Sequence, residues 1–435
     1  MGIIVAKFGG SSLADARQFE KVKAILLSDP NRRFAVPSAP GRRFAGDEKV
    51  TDLLYRVYHQ VEAGEDTRET FEKIGERYRE IARDLNLDAD VDALLSQTFE
   101  DIRRVGTPDF AASRGEYLNG RLLADYLGWD FIDAKDFIKF DRQGRFSSEW
   151  TNEILGEELS LHSHAVIPGF YGSVPNGEVH TFSRGGSDIT GAVVARAAQA
   201  SLYENWTDVS GFLMTDPKIV ENPREIREMT YAELRELSYM GAMVLHEDSI
   251  FPVRRANIPT NIRNTNAPDH PGTMITAHPT GESGVITGIA GHKNFSLISI
   301  EKTMMNSEIG FGRRVLQALE DFHMSFEHLP SGIDTMSIVI SDNEFGVHRN
   351  ELVKRIREVC QPDYVDVIDG IALIATVGRG MVRTPGTAAR LFAALDRAHV
   401  NVRMIDQGSS ELNIIVGVDQ KDFDTAMRAI YYAFV

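Results

Sequence analysis

The sequence predicts an α/β protein: a mostly parallel sheet sandwiched by helices, followed by two smaller α+β units with ferredoxin-like βαββαβ order. Three observations predict it. From Met1 to about His278, short β-branched or aromatic runs alternate with longer helical stretches, the pattern of strands joined by crossover helices. Pro268, Pro271, Gly272, Pro279, Gly281 and Gly284 then crowd turn signals around residue 280, which marks a domain boundary. Beyond that point one order of elements occurs twice, as a degenerate repeat.

Taken in order, the strands of the first part are expected at Ile3–Lys7, Arg33–Val36, Phe131–Asp133, Ala165–Pro168 and Leu202–Trp206. A helix is expected from about Asp15, a mostly helical region from Lys49 to Leu127, and a small-residue helix from Ile189 to Ala200. In such a sheet the active residues gather on loops at the carboxyl ends of the strands. After residue 280, Phe295–Ile300, a helix with Val315, Leu316, Leu319 and Phe322 on one face, and a strand near Met324–Leu329 begin the first copy. Met336–Ser341 and the helix Arg349–Cys360 complete it. Ile371–Val377, a helix burying Leu391, Phe392 and Leu395, Val400–Asp406, Asn413–Val418 and the helix Asp422–Phe434 repeat that order. The domains are therefore expected at 1–280, 281–368 and 369–435, with a leading strand near 285–291 free to pair with the second copy. Nearly all the apolar positions of the repeat are core packing.

Composition narrows the function. A chain of 435 residues exceeds one ordinary core. Its formal charge of −16 opposes a sequence-independent grip on nucleic acid or an anionic membrane. No apolar stretch approaches the ~18 residues of a membrane span, and the first strand runs straight into a glycine loop with no signal-peptide layout. Cys360 is the only cysteine, which excludes internal disulfides and cysteine-rich zinc sites. A cytoplasmic location is expected.

The chemistry is concentrated in a few segments. Lys7-Phe8-Gly9-Gly10-Ser11-Ser12 follows an apolar strand. Glycines let backbone N–H groups approach an anion, and a following helix N-terminus adds positive potential. Lys7 supplies a mobile point charge for phosphoryl oxygens. The spacing is neither that of a Walker A loop nor that of a dinucleotide fingerprint. Ser183-Arg184-Gly185-Gly186-Ser187-Asp188 opens the small-residue helix. Its arginine can fork onto a carboxylate, and Asp188 can orient Lys7 or a metal-bound water. A turn with a helix cap accounts for Ser187 or Asp188 equally well, but not for Arg184. Ser38-Ala39-Pro40-Gly41 and Thr207-Asp208-Val209-Ser210-Gly211, with Thr215-Asp216-Pro217-Lys218 behind it, read singly as turns. His162 and His164 lack the company of cysteines or spaced carboxylates that a zinc site needs, and surface histidines are expected.

As an ordered set these segments resemble the aspartate kinases of the amino-acid kinase superfamily. Gly241-Ala242-Met243-Val244-Leu245-His246 matches a late element of the same family, and the C-terminal repeat resembles its tandem ACT domains. The resemblance covers essentially the whole chain. It implies ATP-dependent phosphorylation of the β-carboxylate of L-aspartate, the first step of lysine, threonine and methionine biosynthesis, with ATP and Mg²⁺ held through the phosphates rather than by protein ligands. Lys7, Gly9, Gly10 and Ser11 would cradle phosphates. Ser38, Thr51 and Ser187 would lie near the substrate, Glu116 would hold its α-ammonium and Arg184 its α-carboxylate. Asp188 would organise the transfer centre, and Thr207, Asp208 and Lys218 would line the nucleotide site. Without the family, Glu116 reads as a solvated helix carboxylate. Aspartate's side chain is already ionised at neutral pH, so no general base is required.

Three positions depart from the family pattern: Met243 where a lysine is common, Ser183 where glycine is usual, and Lys218 where arginine is common. A sensor that binds amino acids without turnover, or another amino-acid carboxylate kinase, are the alternatives. An effector site is expected in the first ACT unit, where the loop with Met305 and Gly310 precedes a helix N-terminus and Glu327 and Asp334 face an amino group. Two acidic groups suit lysine first and threonine second. A homodimer or dimer of dimers through the ACT units is expected, since edge strands of small sheets must be paired or covered.

Overall fold

The computed structural model describes residues 2–183, 185–242, 244–245, 247–279, 281 and 284–435. Arg184 and Met243, singled out above, lie outside the described residues. The chain divides into two compact units. The first takes in residues 1–212, 225–231 and 243–280, and the second takes in 213–224, 232–242 and 281–435.

The first unit is built on an eight-stranded sheet. Its strands are β1 (Ile4–Phe8), β2 (Arg32–Pro37), β3 (Asp130–Phe131), β4 (Ala165–Val166), β5 (Leu202–Thr207), β6 (Glu228–Thr230), β7 (Thr260–Asn264) and β8 (Thr273–Thr276). They lie in the order β6-β8-β7-β5-β1-β2-β4-β3, and only the β7–β8 pair is antiparallel. Helix α1 (Ala16–Leu27) is followed by α2 (Val50–Ala63), α3 (Arg68–Asp84), α4 (Val91–Val105) and α5 (Pro108–Leu127). Local signals set their ends. Thr107 accepts from the amide of Phe110 ahead of Pro108 at the start of α5, and Gly128 at φ 67° ends it. Phe19, Leu54, Tyr78 and Leu122 are fully buried among these helices and the sheet.

A further helix, α6 (Gly186–Ala197), crosses β1 and β5. Its small residues have a steric reason: a Cβ on Gly191 would stand 2.5 Å from the Tyr203 hydroxyl and 2.9 Å from the Lys7 Cβ. The close approach brings the first turn of α6 over the ends of both strands. No described helix is long and apolar enough to cross a membrane.

The second unit carries a five-stranded antiparallel sheet of β9 (Gly288–Glu301), β10 (Thr335–Ser341), β11 (Tyr364–Val377), β12 (Val402–Asp406) and β13 (Asn413–Asp419), ordered β10-β9-β11-β13-β12. Helices α7 (Phe311–Glu320) and α8 (Asp342–Cys360) bury Val315, Leu352 and Ile356 against one half of it. Helices α9 (Thr387–Arg397) and α10 (Phe423–Phe434) bury Leu391, Leu395 and Ile430 against the other. β9 pairs antiparallel with β11 from Gly288↔Val377 to Glu301↔Tyr364, so both halves share one long central strand pair. The helix Tyr231–Tyr239 contributes Glu233, whose buried carboxylate accepts from Thr287, from the Arg379 amide and from the Arg379 guanidinium at 2.6–2.9 Å.

One expected strand is not formed. Met324–Leu329 reduces to an isolated bridge, His328↔Val339. Ser325 is tied to Glu344 through both its amide and its hydroxyl, and Pro330 has no N–H to extend a ladder. The other expected strands and helices form, most with ends displaced by a few residues. The strands expected at 295–300 and 371–377 belong to fourteen-residue strands, the first continuous with the leading strand, and the helix expected from Arg349 starts at Asp342.

Candidate active site

β1, β2 and β5 are parallel neighbours, so their carboxyl ends open on one side and their loops meet there. Gly9 donates its amide to the Trp206 carbonyl at 2.9 Å, and Gly41 donates to the Gly10 carbonyl at 2.8 Å. The loops after β1 and β2 touch backbone to backbone. A Cβ on Gly10 would lie 2.9 Å from the Ala39 oxygen, and one on Gly41 would lie 2.6 Å from the Gly10 carbonyl carbon. Only glycine fits at either position. The second loop is anchored from α3, where buried Arg77 donates to the Gly41 carbonyl at 2.9 Å and to the Asp47 carboxylate at 2.5 Å.

These loops wall a cavity of about 1070 Å³. Lys7, Gly9, Gly10 and Ser11 line it from the first loop, and Ser38 and Thr51 line it from the second loop and the start of α2. Glu116 enters from α5, Ser187 and Asp188 from the first turn of α6, and Asp208 from the end of β5. Of the other expected residues, Thr207 ends β5 with its hydroxyl on the Asp208 carboxylate at 3.2 Å. Lys218 belongs to the second unit, on a turn where its amide donates to Asp216.

The helix expected from about Asp15 forms there as α1, but it is not the helix whose N-terminus reaches the cavity. The segment after Gly9 is a single 3₁₀ turn, Gly10–Leu13, and α1 starts only after Asp15, whose carboxylate caps it through the Gln18 amide. The first turn of α1 does not line the cavity; the helix N-terminus that does is that of α6.

Two groups define the electrostatics. Lys7 is buried, and its ammonium stands 2.5 Å from the Asp188 carboxylate. Glu116 is 5 % exposed, and one of its carboxylate oxygens has no partner among the described residues. Burial pushes its carboxyl up to about 7, against opposing contacts from the Ala39 backbone and the Ser187 hydroxyl. A buried carboxylate that faces a cavity with an unused acceptor suits a cation, and an ammonium in particular. Sequence reasoning alone did not find Asn119, whose amide holds the Ser38 carbonyl at 2.7 Å. Nor did it find His180, which pairs with Asp109 at 2.8 Å on the far wall. His162 sits between Asp130 and Glu158, which raise its pKa, the Asp130 contact most.

The expected effector residues are in the second unit. Met305 is buried in the core, and Gly310 at φ 82° precedes α7. Asp334 accepts from the Met304 amide at 2.8 Å, and Glu327 accepts from the Tyr239 hydroxyl.

Comparison with known proteins adds names to this geometry. Residues 2–264 match the amino acid kinase family, and residues 374–434 match an ACT domain. The chain is 40% identical to aspartokinase 3 of Bacillus subtilis over 99% of this chain and 98% of that one. The crystal structure of Clostridium acetobutylicum aspartate kinase matches with a TM-score of 0.92 and 51% identity, covering 100% of both chains. Escherichia coli aspartokinase III, solved with aspartate and ADP, matches with a TM-score of 0.78 and 25% identity over 99% of each chain. The same enzyme solved with lysine and aspartate gives 0.77 and 26%, again over 99% of each.

Proposed function

The chain belongs to the amino acid kinase family, among its aspartate kinases, and from that premise we propose how its cavity works. It transfers the γ-phosphoryl group of ATP to the β-carboxylate of L-aspartate, giving aspartyl β-phosphate and ADP, the entry to lysine, threonine and methionine biosynthesis. The observation that carries this reading is the buried Glu116 carboxylate, with one oxygen unpartnered among the described residues, in the same cavity as the Lys7–Asp188 pair. Glu116 takes the α-ammonium, which selects a free amino acid over an N-acylated one. Arg184 takes the α-carboxylate. Ser38, Thr51 and Ser187 flank the reacting side chain, while the Gly9–Ser11 amides, Thr207 and Asp208 receive the nucleotide.

A carboxylate oxygen attacks the γ-phosphorus as the bond to the β,γ-bridging oxygen breaks, and ADP leaves with that electron pair. The nucleophile is ionised, so the protein's task is to align two anions and offset their repulsion. Lys7, pointed by Asp188, does so at the phosphoryl group. Mg²⁺ bound to the nucleotide would supply further neutralisation of phosphate charge. The test is ADP release with aspartate, glutamate and acetylglutamate, and trapping of the acyl phosphate by hydroxylamine. Turnover is expected with aspartate, and equal turnover with acetylglutamate would refute the reading.

We further propose that the second unit is regulatory, with tandem ACT domains at 281–368 and 369–435 behind a catalytic domain at 1–280. Lysine is the first-choice effector and threonine the second, held by the loop of Met305 and Gly310 with Glu327 and Asp334. The lysine complex of the E. coli enzyme supports the choice. Millimolar lysine should inhibit, and Glu327→Ala should raise the half-inhibiting concentration about tenfold, ~1.4 kcal/mol. Inhibition that the variant leaves unmoved would disprove the site. Exposed Ile309, Ile333 and Met304 around the same loop support pairing of the second units. Sedimentation of the full chain should give a dimer or tetramer, and a monomer at micromolar concentration would exclude it.

A further inference from the structure

Resting on the phosphoryl-transfer reading above, we propose that Asn205 is a positioning residue that fixes the Asp188 carboxylate and, through it, the reach of Lys7. Asn205 is 3 % exposed, within the run of four buried residues at the centre of β5. Nothing in the phosphoryl-transfer chemistry described so far uses it. Its side-chain amide donates to the Asp188 Oδ1 at 2.8 Å, the same oxygen that takes the Lys7 ammonium at 2.5 Å.

The sheet register explains why the two donors converge. β1 and β5 are parallel neighbours in which Lys7 is directly opposite Asn205. Residues opposite one another point to the same face of a sheet, here the face that α6 covers. Tyr203, two residues earlier and therefore on that face too, donates its hydroxyl to the Asp188 backbone carbonyl at 3.1 Å. Strand β5 thus holds Asp188 by both main chain and side chain, and β1 supplies the cation. Among the described residues, the titratable groups joined to this point are Lys7 on β1, Asp188 on α6 and Tyr203 on β5. The next strand presents Ile262 beside Asn205.

The residue type fits the task. A neutral amide donates a hydrogen bond without adding a charge that would compete for Lys7 or repel the phosphates. An aspartate at the same place would face Asp188 as a like charge, and one of the two would hold its proton to higher pH. Leucine would keep the volume and lose the donor. Lys7 would then still pair with Asp188, but with a carboxylate free to rotate, and the ammonium would wander from the line of transfer. Small misplacements of a catalytic group are costly in rate.

The test measures kcat and KM for aspartate and ATP in the full-length protein across pH 6 to about 9, a span that brackets ordinary enzyme groups. Asn205→Leu is expected to lower kcat about tenfold or more, with both KM values within about twofold of the parent. Asn205→Asp is expected to keep activity at low pH, where the introduced carboxyl is protonated and donates as the amide does. It should lose activity as pH rises and that carboxyl ionises, giving an alkaline limb the parent lacks. A merely structural hydrogen bond would not produce that limb. Parental kcat in Asn205→Leu, or a pH profile of Asn205→Asp parallel to the parent's, overturns the proposal. If Asn205→Leu does not fold, the isosteric Asn205→Asp profile decides alone. A parent that releases no aspartate-dependent ADP overturns the function reading and this proposal with it.

Discussion

Lys7→Ala lowers kcat about 10²–10³-fold, or ~3–4 kcal/mol of transition-state stabilisation, on the magnitudes known for removing one aimed donor from a buried reacting centre. Two features make the loss large. The ammonium is buried, so water does not screen it, and it is pre-aimed by Asp188 at 2.5 Å, so no reorganisation is needed during transfer. The variant also leaves the Asp188 carboxylate with Asn205 as its remaining described donor, a negative charge beside an incoming phosphate. The loss should therefore appear in kcat, with a smaller rise in the KM for ATP. A folded Lys7→Ala protein that releases ADP at the parental rate would remove Lys7 from the chemistry.

Glu116→Gln should lower kcat/KM for aspartate about 100-fold, ~3 kcal/mol, because a buried charge pair loses one partner. The sign of the pH effect follows from the free protein. Its carboxyl titrates near 7 against an ordinary 4.5, because burial disfavours the ionised form. Only the ionised form pairs with an ammonium, so kcat/KM for aspartate should rise through about pH 7 and then level. Stability runs the other way. Between pH 4.5 and about 7 the folded carboxyl keeps a proton that the unfolded chain gives up, so stability falls across that window by up to ~3 kcal/mol. Glu116→Gln, which has nothing to ionise, should melt above the parent at pH 8 while binding aspartate poorly. A variant that melts lower at pH 8, or a parental profile flat across pH 6 to 8, would show that Glu116 is not buried in a proton-holding state.

Much of the first sheet was legible because its signals are local. An apolar run breaking into Gly9-Gly10, or Pro37 giving way to Ser38, announces a strand and the loop that ends it. Glu116 was not legible as physics. Helix α5 buries Arg114, Glu116 and Asn119 alongside Leu118 and Leu122, so its polar residues carry no face signal, and only the family resemblance pointed to the carboxylate. Asn205 was hidden for a related reason. A polar residue in a strand suggests a solvated side, whereas β5 is covered on both faces and spends its polar residues inward. The strand expected at Met324–Leu329 failed where side-chain bonds from Ser325 and the missing amide of Pro330 outcompete a ladder. The placement of 232–242 with the C-terminal sheet was equally out of reach, because Glu233 meets its partners Thr287 and Arg379 far along the chain.

That last placement has a consequence for how the chain acquires its structure. The second unit draws on residues 213–224 and 232–242, while the first still awaits β7 and β8 from residues 260–276. Neither unit is one uninterrupted stretch, so a growing polypeptide cannot finish one before starting the other. Glu233 emerges from the ribosome well over a hundred residues before Arg379, and until then its carboxylate stays hydrated and its helix has no Arg379 to dock against. Contacts so distant in sequence slow folding, and partly built intermediates with exposed apolar surface aggregate more readily. Aggregation during synthesis should therefore peak while the ribosome is between residue 280 and the close of β13.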